Sequence, residues 1–172
     1  MNTRGFTLLE ILTVMVVIGI LLSISTLNFH AMQQKSQIEK QTREIVSDLV
    51  SLRIDAMQKK RRSAAFLGPK QVIFKGYSSD AEDVLTGGTN LSTKTLPHSI
   101  NMLTGATLAA PVVTANYVVY DTRGFGRFNG ALTSMTLVVL PVQYGGGDNC
   151  ILINASRTNI GRMDDASTCT AR

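Results

Sequence analysis

Glu10 is the residue whose type and position most demand a chemical explanation, because it is the only charge between Phe6 and Leu27. The run FTLLEILTVMVVIGILLSISTL is otherwise apolar or small, and about 20 such residues suffice for a bilayer-spanning helix. A carboxylate inside a span costs roughly 2.5–3.5 kcal/mol at the helix centre and less near its end. Such a group is kept with a partner, and the span itself offers no base. Arg4 and Gly5 stand ahead of the run, whereas a secretory signal carries its small-residue cleavage site behind it. Cutting after Gly5 removes a short polar leader and leaves the hydrophobic helix on the product. A free amine on a neighbouring chain is one such partner. The competing reading is an ordinary anchor whose carboxylate snorkels to the interface.

Gly5-Phe6-Thr7-Leu8-Leu9-Glu10 followed by an apolar span resembles the class III signal of type IV pilins and type II secretion pseudopilins. The resemblance implies that a prepilin peptidase cleaves between Gly5 and Phe6 and methylates the Phe6 amine. It also assigns the family's buried glutamate to Glu10. The implied partners are other minor and major pilins or pseudopilins, the peptidase and an inner-membrane assembly platform. The implied location is the bacterial inner membrane, single-pass with a periplasmic head, within or at the tip of a filament.

A second resemblance lies in the other half. Asp121-Thr122-Arg123-Gly124 with Gly126-Arg127, the strand Met135–Leu140, and Cys150–Ala155 leading to Gly161-Arg162 resemble the H-type pseudopilin and FimT–FimU minor pilin branch. In some FimT-type competence pilins a G-R-x-R segment binds DNA. Here Gly161-Arg162-Met163-Asp164 puts an aspartate at the second arginine. A phosphate-repelling charge replaces an attracting one, and the expectation is against nucleic acid at this segment.

Two cysteines, Cys150 and Cys169, lie nineteen positions apart. That is not a C-x-x-C metal or redox spacing. In a chain whose globular part leaves the cytosol they read as one disulfide, closing a loop worth ~3 kcal/mol in the chain-entropy account. Lys59-Lys60-Arg61-Arg62 reads first as cations at a helix C-terminus. Its second reading, shared with Arg162, is contact with an anionic partner such as a headgroup or DNA. Formal net charge is +5, from 17 basic and 12 acidic residues, compatible with such a surface without requiring one.

No nucleotide, catalytic or metal motif accompanies these residues. Gly145-Gly146-Gly147-Asp148 lacks the Lys-Ser/Thr ending of a phosphate-binding loop and reads as a turn. His30 and His98 stand outside any zincin or nucleophile-elbow context. Asp148, Asp164 and Asp165 are oxygen ligands by type but read as solvated loop carboxylates. The sequence points to no enzyme, no cofactor and no metal.

The elements that must carry these residues follow from periodicity. Ile38, Ile45, Leu49, Leu52 and Ala56 make an apolar stripe that Val46, Val50 and Met57 widen, a helix with one covered face. No Gly or Pro interrupts Ile20–Arg62, so the helix is expected to run from Phe6 to Arg62, about 85 Å. Gly19, Ser23, Ser25 and Thr26 are its weak points. Strands are expected at Gln71–Tyr77, Ser99–Leu103, Thr107–Leu108, Ala115–Tyr120, Arg127–Phe128, Met135–Val142, Asn149–Ala155 and Asn159–Met163, with Ser78–Thr95 a long acidic loop. Leu137-Val138-Val139-Leu140 suits a central strand.

The expected fold is α+β: a long N-terminal helix, membrane-spanning in its first half, packed on a C-terminal antiparallel β-sheet or sandwich head. The division is 1–5 leader, 6–28 membrane or filament core, 29–62 amphipathic helix and 63–172 head. The expected function is a minor pilin-like subunit that primes or caps a type IV pilus. The alternatives are an H-type pseudopilin of type II secretion and a DNA-uptake pilin.

Overall fold

The computed structural model describes residues 7–103, 117–129, 134–142, 147–163 and 168–171, with the backbone alone at 24–28. Among the described residues one helix, α1 (Leu8–Lys59), is followed by ten strands. At 1.5 Å per residue α1 is about 78 Å long. It is continuous through Gly19, whose carbonyl accepts the Ser23 hydroxyl at 2.8 Å. It ends three residues earlier than expected. Lys60 adopts the left-handed conformation at φ 53°, and the N–H groups of Lys60 and Arg61 both turn back to the Ala56 carbonyl. That closure satisfies an orphan carbonyl and swings the chain out of the helix.

The stripe on the second half of α1 is where expected. Ile38, Ile45, Leu49, Leu52 and Ala56 are all buried, while Val46 is half-buried. Burying such aliphatic side chains is worth about 1.5–3 kcal/mol each. Val50 was expected to widen the stripe but is 40% exposed, one turn beyond the half-buried Val46 at the margin of the stripe. The first half makes a different surface. Leu8, Leu9, Ile11, Leu12 and Met15 are all exposed apolar residues. Among the described residues no helix is long and apolar enough to cross a membrane.

The head holds two five-stranded antiparallel sheets. The first contains β1 (Ser63–Leu67), β2 (Gln71–Gly76), β3 (Thr89–Thr95), β5 (Tyr117–Tyr120) and β6 (Gly126–Phe128), in the order β3-β2-β1-β5-β6. The second contains β4 (Ile100–Leu103), β7 (Met135–Val139), β8 (Cys150–Ile153), β9 (Thr158–Met163) and β10 (Cys169–Ala171), in the order β10-β9-β8-β7-β4. Three strands differ from expectation. β1 and β10 are additional, and β3 occupies the end of the stretch read as a loop. The expected strand at 107–108 lies outside the described residues.

Alternation places the core. Val118 and Tyr120 of the first sheet meet Leu137, Val139, Ile151 and Ile153 of the second and the α1 stripe in one cluster. The opposite face of the second sheet buries Leu103, Val138, Cys150, Met163 and Cys169. Every residue of β7 is therefore covered, as expected of a central strand.

Candidate functional site

The N-terminal turn of α1 begins with Thr7, an extended residue whose Oγ1 accepts the Glu10 N–H at 3.3 Å. Thr7 is thus the N-cap and Glu10 the third helical position, the spacing of a capping box. A Thr-x-x-Glu before an apolar run is a legible signal that the reading of Glu10 as an assembly residue passes over. An acidic group in the first turn also suits the helix dipole, by about 0.3–1 kcal/mol. The Glu10 backbone carbonyl accepts the Thr13 hydroxyl at 2.9 Å. Its carboxylate is exposed and has no hydrogen-bond or ion-pair partner among the described residues. Gly5 and Phe6 lie outside the described residues.

The basic segment does not act as one patch. Lys59 pairs with Asp55 one turn back at 2.7 Å. Lys60 and Arg61 are exposed in the turn, and Arg62 folds inward. Its guanidinium donates to the Glu82 carbonyl at 2.5 Å, sits 3.4 Å from Asp80 Oδ1, and lies over the Tyr77 ring at 5.6 Å. The acidic cluster that receives it organises the 78–88 loop. Glu82 accepts the N–H groups of Ser78 and Gly88 at 2.9 and 3.0 Å. Asp83 accepts those of Leu85 and Thr86, and these backbone bonds, the Thr86 one foremost, lower its pKa. Arg162 stands on β9 in the second sheet, its carbonyl accepting the Thr170 hydroxyl at 3.1 Å. The helix-end cations precede β1 of the first sheet, whereas Arg162 stands on the second.

Cys150 and Cys169 form the expected disulfide, with Cα atoms 6.2 Å apart. It joins β8 to β10 across β9, which runs between them. The residue of β9 beneath it is Gly161. A Cβ there would sit 2.9 and 3.1 Å from the two sulfurs and 2.6 Å from the Thr170 carbonyl oxygen. Beside it the fully buried Asn149 donates to the Met163 carbonyl at 3.1 Å and accepts its N–H at 2.7 Å. Neither Gly161 nor Asn149 announces this role in sequence, because the crossing strand becomes evident only with the sheet order.

Among the described residues no group of three or more His, Cys, Asp or Glu could hold a metal. Asp148 is paired with Arg43 of the helix at 3.2 Å, while Asp164 and Asp165 lie outside the described residues. His30 is exposed on α1.

The family model described as the prokaryotic N-terminal methylation motif matches residues 1–26. No curated protein matches the sequence significantly. Among solved structures, the type IV minor pilin FimU of Pseudomonas aeruginosa is 12% identical, with a TM-score of 0.51, covering 81% of this chain and 96% of its own. The minor pseudopilin EPSH of the Vibrio cholerae type II secretion system is 11% identical, with a TM-score of 0.50, covering 73% of this chain and 96% of its own. One long helix, its first part within the match to the N-terminal methylation motif, leads into an antiparallel β head and gives this chain the pilin-like fold shared by minor pilins and minor pseudopilins.

Proposed function

We propose that the chain is a structural subunit of a type IV pilus, a minor pilin-like protein that primes or caps filament assembly. One observation carries the reading: the apolar helix surface at Leu8–Leu22, exposed in the single chain, lies within the stretch that matches the methylation motif, residues 1–26. Exposed Leu, Ile, Val and Met side chains at this density are costly in water and gain about 25 cal/mol per Å² when covered. Two environments cover them in turn. The inner membrane holds the helix before assembly, and the helices of neighbouring subunits hold it in the filament. In this scheme residues 1–5 are the leader, Phe6 becomes the methylated N-terminus, and 6–28 serve as span and filament core. Glu10 neutralises the amine of an adjacent Phe6, and the head stays periplasmic. The partners are other pilins, the prepilin peptidase and the assembly platform, and no catalysis is assigned.

The experiment is fractionation of sheared filaments from producing cells, followed by mass analysis of this chain. The account expects a species starting at N-methylated Phe6 in the filament fraction. Uncleaved chain confined to membranes in cells that assemble filaments would overturn it.

The likeness to EPSH supports a second reading, a minor pseudopilin of type II secretion with the same assembly chemistry. Deleting the gene separates the two, since one loss abolishes pili and the other abolishes protein export.

A further inference from the structure

The outer side of the first sheet carries a concave groove of about 330 Å³, between the 80–84 stretch, β5 and the turn into β6. Three arginines line it, Arg62, Arg123 and Arg127, together with Asp80 and Asp121. Their commitments differ. Arg62 is held by the Glu82 carbonyl, Asp80 and the Tyr77 ring. Arg123 is loosely paired, its Nε 3.9 Å from Asp121 Oδ2 with the side chain 77% exposed. The other Asp121 oxygen is occupied by the N–H groups of Arg123 and Phe125 at 2.9 and 2.8 Å. Arg127, on β6 opposite Val119, is exposed and has no hydrogen-bond or ion-pair partner among the described residues.

The floor beneath these charges is apolar. Val119 is 6% exposed and Tyr117 is half-buried against Phe66, ring centroids 5.5 Å apart. Five of the nine lining residues are charged, so the groove is a polar one with a small apolar floor. An unspent guanidinium offers five donors in a planar fork that fits a carboxylate bidentately. Three arginines against two aspartates leave a surplus of one positive charge. That balance suits one carboxylate and opposes a phosphate chain, which needs many contacts and would meet Asp80 and Asp121.

We propose that this groove, centred on Arg127, binds a single carboxylate side chain from a partner protein, with an adjacent apolar side chain seated on Tyr117 and Val119. The site is separate from the helix surface that carries assembly, so it contributes a head-to-partner contact of its own.

The test uses the full chain, isotope-labelled in detergent micelles. A pentapeptide with a central glutamate flanked by leucines is titrated while the Arg127 side-chain and Val119 amide signals are followed by NMR. The account expects both signals to shift, and the glutamine version of the peptide to bind about 10- to 100-fold more weakly, the value of a charged hydrogen-bond pair. Arg127→Ala should abolish that preference, and Arg127→Lys should keep part of it, with the charge present but not the fork. Equal affinity for the two peptides, binding of neither, or a preference unchanged in Arg127→Ala would each overturn the proposal. Displacement of the glutamate peptide by a short DNA duplex would overturn it in favour of a nucleic-acid surface.

Discussion

Gln41 and His98 exchange two hydrogen bonds, the Gln41 Nε2 donating to the His98 carbonyl and its Oε1 accepting the His98 N–H, both at 2.8 Å. Gln41 is 2% exposed, so this amide fastens the buried face of α1 to the turn before β4. Gln41→Ala would leave both backbone groups without that partner, and a buried unsatisfied group costs about 1–3 kcal/mol. We predict a loss of roughly 2–4 kcal/mol for the pair, read from denaturant unfolding of the full chain in detergent. Gln41→Glu should also destabilise, because a carboxylate cannot donate to the carbonyl. A change in either variant below about 0.5 kcal/mol, the range of an ordinary surface substitution, would contradict this fastening role.

Alkaline conditions should loosen the loop that covers the outer face of the first sheet. Tyr77 donates to the Val84 carbonyl at 2.6 Å, and burial, partly offset by Arg62, pushes its pKa up to about 12. A raised pKa means that the fold favours the protonated form. The stability is present below the unfolded value of about 10 and is lost as pH rises through about 12. Lys94 acts in the same direction. Desolvation disfavours its charge, but hydrogen bonding to Asp48 and the attraction of Asp48 and Glu44 prevail and raise its pKa. We predict falling stability across this interval and a shallower fall in Tyr77→Phe, measured by denaturation midpoints. An identical slope in Tyr77→Phe would remove Tyr77 from the explanation.

Gly161→Ala should cost about 1–3 kcal/mol, the usual penalty for overpacking a filled site. It should also lower the yield of the Cys150–Cys169 bond, because the added carbon would crowd both sulfurs. Thiol alkylation followed by mass analysis counts the unpaired cysteines. A fully bonded variant of unchanged stability would show that β9 can shift away at no cost.

What the sequence discloses depends on whether a residue's neighbours are set locally. The stripe from Ile38 to Ala56 is legible because spacing alone puts those residues on one face. The width of that stripe is not, because cover at its margin depends on which residues distant in sequence pack there, and Val50 is left 40% exposed. The strand at Thr89–Thr95 hides in a polar stretch whose residues, Lys94 apart, are all exposed, so no alternation marks it. Its register comes from β2. Among candidate site residues, Glu10 stands out by charge. The inward fold of Arg62 does not, since part of its holding comes from a backbone carbonyl in a loop. Thr7 as cap was readable from Thr-x-x-Glu, whereas Gly161 beneath the disulfide needs the sheet order.

The central claim is that Glu10 neutralises a neighbouring N-terminal amine during assembly, and co-purification of Glu10 variants with partner pilins from detergent tests it most directly. Its local role in the helix start is worth at most about 1 kcal/mol, whereas leaving one member of a buried pair unpartnered costs roughly 3–5 kcal/mol. We predict normal membrane levels for Glu10→Ala, because removing a carboxylate from a helix proposed to sit in the membrane does not hinder insertion, together with strongly reduced recovery with partners. Glu10→Lys should be worse, with two cations facing each other. Glu10→Gln should be intermediate, since it retains the capping spacing and an acceptor but not the charge. Wild-type recovery of both Glu10→Ala and Glu10→Lys would contradict the account.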